Sequence, residues 1–167
     1  MKFYEENEYR SSCDVLFLKY KFAILKLIPH ARIEHVGSTS VPGAISKGDL
    51  DVFIGVEPEV LEDSVKILKA LNFREKIETL RTKELCMLES VSENVAFQIV
   101  ANGSEFEFFI EFREKLRNSK ELLNQYNQIK LKCSHLSEER YRNLKSEFIE
   151  SVLQKSLQTA VEHGVRL

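Results

Sequence analysis

The longest apolar segment of the chain lies near its amino terminus. From Val15 to Ile28 the sequence VLFLKYKFAILKLI has only three charged residues, Lys19, Lys21 and Lys26. Apolar residues in such excess predict a helix with a wide buried face. Pro29 directly follows and is expected to end the helix.

Shorter apolar segments further along the chain have the character of β-strands. The clearest runs from Asp49 to Val56, where Leu50, Val52 and Ile54 alternate with other residues and can face a core. Three more strands are predicted: Ala31 to Val36, a short buried strand at Leu85–Leu88 in an otherwise weak region, and Val95 to Ala101, which the Asn102-Gly103 turn ends.

The remaining apolar residues recur at helical spacing. They predict a surface helix over Glu59–Asn72, a short aromatic helix from Phe106 to Leu116, a helix that Ser119 caps, and a final helix after Ser137 that reaches Leu157. Ser104 is a further candidate cap. Strands followed by helices predict one α+β domain over residues 1–167, with a mixed core sheet at about 31–104 and carboxy-terminal helices at about 105–163.

Composition narrows the classes of function. The chain has 167 residues, of which 43% are hydrophobic, so it is long enough to form a packed core. A net charge of −2 argues against a nucleic-acid coat, because many phosphates would need a basic excess. Three scattered cysteines and no apolar signal or membrane span predict a cytoplasmic protein without a membrane partner. The oligomeric state stays open.

Candidate chemistry is concentrated between Ile33 and Val56. The turn Gly37-Ser38-Thr39-Ser40 offers backbone N–H groups and hydroxyls, which suit a phosphate. Asp49 and Asp51 are two residues apart on the predicted strand, so both carboxylates are expected on one face. Hard cations such as Mg²⁺ prefer oxygen ligands, so these residues together predict a metal-assisted phosphate or nucleotide site.

The same residues have simpler interpretations. The Gly-Ser segment could be a plain turn, and the two acids could cap a loop or pair with Lys47. Lys47 itself could approach a phosphate as a point charge or neutralise Asp49.

One block of sequence resembles a known family. EHVGSTSVPGAISKGDLD, residues 34–51, is similar to the opening block of the GrpB-like family of the nucleotidyltransferase superfamily. Later segments also resemble landmarks of that family: Gln98 to Ser104, Phe112-Arg113, Tyr126 with Lys130, and Tyr141 with Lys145.

The resemblance implies a nucleotidyltransferase-type fold and a set of roles. Asp49 and Asp51 would hold Mg²⁺ and carry catalysis, while the turn Gly37–Ser40, with Ser38 foremost, would hold the nucleotide phosphates. Arg113, Lys130 and Lys145 are family landmarks on separate helices that could converge on the same anion, to which Lys47 could add a point charge; the alternative for each of the three is a solvated or ion-paired residue. The implied activity is transfer of a nucleoside monophosphate from a nucleoside triphosphate to a small acceptor.

Gln98 departs from the pattern that the resemblance implies. Active superfamily members usually carry a third acid on this strand. Glutamine at this catalytic position can hydrogen-bond a ligand or a metal-bound water, but it is a poor base. A base could come from Glu34, His35 or Glu107. The alternative is a catalytically inactive nucleotide- or anion-binding module linked to coenzyme A or kinase metabolism, since some relatives are fused to a dephospho-coenzyme A kinase. A protein-interaction domain that keeps only the fold is a third hypothesis.

Overall fold

The structure is a computed structural model that describes residues 1–153. Alternating apolar residues form one mixed sheet, in the order β1-β2-β5-β4-β3. The central pair β2–β5 is parallel and the other pairs are antiparallel. Its strands are β1 (Arg32–Val36), β2 (Leu50–Val56), β3 (Phe73–Glu75), β4 (Leu85–Ser90) and β5 (Val95–Ala101). The helices are α1 (Glu6–Leu27), α2 (Leu61–Leu68), α3 (Phe108–Asn118), α4 (Lys120–Lys132) and α5 (Glu138–Leu153).

One face of the sheet is covered by α1 and α2. Alternate residues of the strands point to the same face and form a continuous apolar layer with both helices. Its members include Leu50, Val52, Ile54, Val95, Phe97 and Ile99 from the sheet, Tyr20 and Ile24 from α1, and Leu61, Val65 and Leu68 from α2.

The opposite face is covered by the carboxy-terminal helices. Phe53 and Val100 pack there against an aromatic cluster that includes Phe112 and Tyr126, and Ile149 of α5 closes the layer. This architecture is the mixed sheet flanked by helices that the sequence predicts. No helix within residues 1–153 is long and apolar enough to cross a membrane.

The first helix differs from its prediction in two respects. It begins at Glu6 rather than Val15, because Glu5 and Glu8 form a capping box at its start. The expected wide buried face is wrong: Val15, Leu18 and Phe22 are each 65% exposed. The helix lies on the surface of the sheet, so only a narrow stripe of its residues reaches the core.

Other element boundaries also differ from the prediction. Strand β2 begins at Leu50, so Asp49 precedes the strand. The helix predicted to end at Asn72 is only eight residues long and is flanked by 3₁₀ turns, and the sequence pattern does not predict β3. Backbone N–H groups donate to the hydroxyls of Ser119 and Ser137, which confirms both caps.

Ser104 makes no such capping bond with its side chain, so that prediction is wrong. Leu157, the predicted end of the last helix, lies outside the described residues.

Candidate nucleotide site

The turn after β1 is shaped by its glycine. Gly37 has a φ of 73°, which favours glycine, and a Cβ there would overlap the Asp51 Oδ2 atom. Only glycine therefore allows this backbone to lie directly against the carboxylate. Ser38–Ser40 follow as a single 3₁₀ turn.

Two hydroxyls of this turn bind the protein itself. Thr39 Oγ1 donates to the Asp49 carbonyl at 3.0 Å, and Ser40 Oγ donates to the Gly37 carbonyl at 2.6 Å. Both side chains are buried. They hold the shape of the turn, which leaves Ser38 as the hydroxyl that lines the neighbouring cavity.

The cavity lies at one end of the sheet, between the sheet face, the β3–β4 loop and helices α4 and α5. Its volume is about 250 Å³. Seven of the residues singled out from the sequence line it: Ser38, Lys47, Asp49, Asp51, Gln98, Lys130 and Lys145. The fold therefore brings acids, cations and a hydroxyl together from separate parts of the chain.

Asp51 is the carboxylate most affected by this environment. Burial, together with the nearby negative charge of Asp49, raises the pKa of Asp51 from 3.8 to about 6. Lys145 and a hydrogen bond from Gln98 act in the opposite direction. Two close carboxylates in a partly buried site are a natural place for a cation.

Gln98 lies on β5 next to Asp51. Its Nε2 donates to Asp51 Oδ1 at 3.0 Å, which orients the amide. Its Oε1 is buried and accepts no hydrogen bond from the described residues. An orphaned acceptor at a cavity wall suits a donor on a ligand or a bound water.

Lys130 of α4 is buried, with an exposed fraction of 1%. Its Nζ donates to Ser38 Oγ at 2.8 Å and to the Ile45 carbonyl, and lies 3.9 Å from the centroid of the Tyr126 ring. Burial lowers the pKa of Lys130 well below its usual value, and the charge of Lys145 adds to this effect. An incoming anion would favour its charged form.

Lys145 of α5 behaves differently. Burial lowers its pKa, but the neighbouring Tyr126, Tyr141 and the two aspartates together raise the pKa above its usual value. Lys145 is therefore a permanent cation beside Asp51. Lys47 lies at the rim, where its Nζ is 3.4 Å from Glu138 Oε1.

Arg113 does not line this cavity. Its guanidinium pairs with Glu34 at 2.8 Å and with Glu114 at 2.7 Å, and donates to the His35 carbonyl at 2.9 Å. These contacts join α3 to β1, so the arginine has a structural role.

The bases considered from the sequence also lie elsewhere. His35 stacks on Phe17 of α1, on the opposite face of the sheet, and burial lowers its pKa to about 4. Glu34 is paired with Arg113, and Glu107 lies 3.2 Å from Arg32. None of these three candidate bases lines the cavity.

Sequence reasoning missed several residues at the cavity wall. Lys76, Glu89, Tyr141 and Arg142 all line it. For Tyr141 the sequence predicts only a place on a helix and a family landmark. Glu89 and Lys76 lie in the region 73–90, which has the weakest pattern, and only the strand register could have placed them at the site.

Comparison with known proteins identifies the family. The family model described as GrpB protein matches residues 7–155. The chain belongs to the GrpB family. A UPF0157 protein of Vibrio cholerae serotype O1 is 56% identical over 154 residues, which cover 92% of this chain and 82% of that protein.

Solved structures share the fold. The conserved protein GrpB from Enterococcus faecalis has a TM-score of 0.76 at 20% identity, over 94% of this chain and 98% of that chain. Cid1 in complex with its short product ApU has a TM-score of 0.50 at 17% identity, over 88% of this chain and 51% of that chain. This chain therefore shares its fold with both structures, and it spans about half of the length of Cid1.

Proposed function

We propose that this GrpB chain binds a nucleoside triphosphate with Mg²⁺ and transfers its nucleoside monophosphate to a hydroxyl or phosphate of a small acceptor. One observation carries the proposal. Five side chains converge on a single cavity: Ser38 of the turn, Asp49 just before β2, Asp51 of β2, Lys130 of α4 and Lys145 of α5.

The carboxylates fit Mg²⁺ by their chemistry. Mg²⁺ is usually bound by one or two carboxylates together with substrate phosphates and waters. Within residues 1–153 no group of three or more acidic, histidine or cysteine side chains is clustered closely enough to hold a metal ion. Asp49 and Asp51 would therefore hold the ion with the nucleotide, and Mg²⁺ would supply charge neutralisation at the phosphates.

The opposite side of the cavity suits the phosphates. The Ser38 hydroxyl and the Lys130 amine are already joined at 2.8 Å, and Lys145 adds a fixed positive charge. An anion between them would gain charge-assisted hydrogen bonds from both lysines. The α-phosphorus would then lie near Asp51, with the triphosphate directed toward α4 and α5.

Gln98 favours a second candidate function. It occupies the strand position where active members of the superfamily carry an acid, and an amide cannot accept a proton from an attacking hydroxyl. A chain that binds Mg²⁺ and nucleotide without turnover would serve as a regulatory or accessory module, for example in coenzyme A or kinase metabolism.

Calorimetric titration with the four ribonucleoside triphosphates, with and without Mg²⁺, tests the proposal. We expect Mg²⁺-dependent binding that Asp51→Asn weakens by about 100-fold or more, since one buried charge-assisted contact and a metal ligand are lost. Asp63→Asn is the matched control, because this acid lies on α2 and its side chain is 75% exposed. It should leave the affinity unchanged.

The outcomes separate the candidates. Binding followed by transfer of label from α-labelled nucleotide supports the enzyme, whereas binding without any transfer supports the accessory module. No binding of any of the four nucleotides in the presence of Mg²⁺ would exclude both.

A further inference from the structure

The reaction proposed above needs a group that takes the proton of the attacking hydroxyl. The β5 side chain that contacts the Asp51 carboxylate is Gln98, and Glu34, His35 and Glu107 lie away from the cavity. Two further carboxylates line the cavity, Glu78 of the β3–β4 loop and Glu89 of β4, and only Glu89 belongs to a strand of the sheet that holds Asp51. The register of the sheet shows where Glu89 lies relative to Asp51.

Strand β4 runs antiparallel to β5 and places an acid in the row of Asp51. Ala96 of β5 pairs with Asp51 on one side and with Glu89 on the other. Residues directly opposite on neighbouring strands point to the same face, so Asp51 and Glu89 lie on one face with only Ala96 between them. Two strand spacings separate their Cα atoms by about 10 Å.

The residue between them is small. The Ala96 side chain is a methyl group, so it leaves space between the two longer carboxylate side chains, and all three residues line the same cavity. The acids are too dispersed to form a compact cation cluster. The gap suits a substrate hydroxyl, which would lie between the metal-facing Asp51 and Glu89.

The Glu89 carboxylate already forms an ion pair with Arg74 of β3. Its Oε1 accepts a hydrogen bond from Arg74 Nε at 3.0 Å. The Arg74 side chain is 66% exposed, and exposed ion pairs contribute little to stability. The pair therefore holds the Glu89 carboxylate only weakly, and a ligand in the cavity can compete for it.

We propose that Glu89 is the general base of this site, acting from β4 in place of an acid on β5. The inference rests on the proposed function. The acceptor oxygen forms a bond to the α-phosphorus, the bond from that phosphorus to the β-bridging oxygen breaks, and pyrophosphate leaves with its electron pair. The proton of the acceptor hydroxyl passes to the Glu89 carboxylate.

The test uses α-labelled nucleoside triphosphates, Mg²⁺, and glycerol at high concentration as the acceptor, with water as the competing one. Labelled glycerol adduct and nucleoside monophosphate are both counted as transfer. The variants are Glu89→Gln, which keeps shape but not basicity, Glu89→Asp, and Arg74→Gln as the control that removes the ion pair alone. Nucleotide affinity is measured for each by calorimetry, and folding by thermal melting.

We expect Glu89→Gln to lower kcat by about 10²–10⁴-fold, the usual contribution of a general base, while the nucleotide affinity stays within about threefold. Glu89→Asp should recover part of the rate, and Arg74→Gln should keep kcat within about threefold. A merely structural pair would instead make Arg74→Gln resemble Glu89→Gln.

Two results would overturn the inference, and they differ. Unchanged kcat in Glu89→Gln would remove Glu89 from the reaction and leave the proposed function intact. A wild-type chain that binds nucleotide but forms neither glycerol adduct nor monophosphate would have no reaction for a base to serve. That result would also decide against the transfer function.

Discussion

The two faces of the central sheet differ in the residues that they present, although the same strands form both. On the face under α1 and α2, β2 presents Leu50, Val52 and Ile54, and the layer is apolar from end to end. On the other face, β2 presents Asp51 and then Phe53. Phe53 belongs to the apolar layer of this face, whereas Asp51 lines the cavity.

The difference shows how the fold divides stability from chemistry. The apolar face stabilises the fold by burying hydrophobic side chains, and nearly all of these residues are inaccessible to solvent. The polar end keeps a carboxylate whose pKa is raised to about 6 by burial and by Asp49. Such a site lowers stability in exchange for ligand chemistry.

The largest effect is expected on the apolar face. Phe97 is fully buried and stacks on Phe73 with ring centroids 3.8 Å apart. Phe97→Ala should lower the free energy of unfolding by about 3–5 kcal/mol, because it removes packing and leaves a cavity. Urea denaturation measures the change, and a loss below about 1 kcal/mol would show that this face is not the stabilising one.

A smaller effect of the opposite sign is expected at the polar end. The pKa of Asp51 is raised in the folded chain, so stability falls as the pH rises from about 4 to about 6 and the loss is then complete. Asp51→Asn should therefore stabilise the metal-free protein by about 1–2 kcal/mol at pH 7.5 and hardly at all at pH 4. Chemical denaturation at both values checks this.

The measurement of Asp51→Asn at two pH values contains its own control. If Asp51→Asn destabilised the protein equally at both pH values, the side chain would act by its shape and not by its charge. The same titration predicts that Mg²⁺ affinity increases as the pH is raised through about 6.

Proton uptake offers a measurement on Lys130. Burial lowers the pKa of this amine and a bound triphosphate would raise it again, so binding should take up protons at pH values between the pKa of the free state and that of the bound state. Calorimetry in two buffers of different ionisation enthalpy measures the uptake. Lys130→Met should abolish it and weaken nucleotide binding by about tenfold or more. Uptake that persists in the variant would assign the proton to another group.

The smallest effect is expected outside both faces. Phe22 lies on the solvent side of α1 with 65% of its surface exposed. Phe22→Ser should change the free energy of unfolding by less than about 0.5 kcal/mol. A loss near that of Phe97→Ala would mean that α1 buries this residue after all.

Local pattern is enough to predict much of this arrangement. The alternation in β2 indicates that Leu50, Val52 and Ile54 face a core, and the Gly-Ser turn followed by Asp51 marks the candidate site. These features depend on residues close together in the chain. The position of Asp49, one residue before the strand, lies within the usual uncertainty of an element boundary.

Other residues depend on non-local geometry. Thr39 and Ser40 turn inward because the 3₁₀ turn directs their hydroxyls to nearby carbonyls, which composition does not reveal. Arg113 resembles an anion-binding residue in the sequence, yet its partner Glu34 comes from a distant strand. Glu89 reaches the cavity only through the pairing of β4 with β5.

The most direct test of a ligand site at the polar end of the sheet is to locate a bound metal ion relative to the two sheet faces. Mn²⁺ replaces Mg²⁺ in the presence of nucleoside triphosphate, and the loss of amide signals by paramagnetic broadening is followed by NMR. We expect the amides of Ser38, Asp51 and Ala96 to disappear first, while those of α2 stay sharp. Uniform broadening, or selective broadening on the α1–α2 face, would contradict a metal and nucleotide site at the polar end of the sheet.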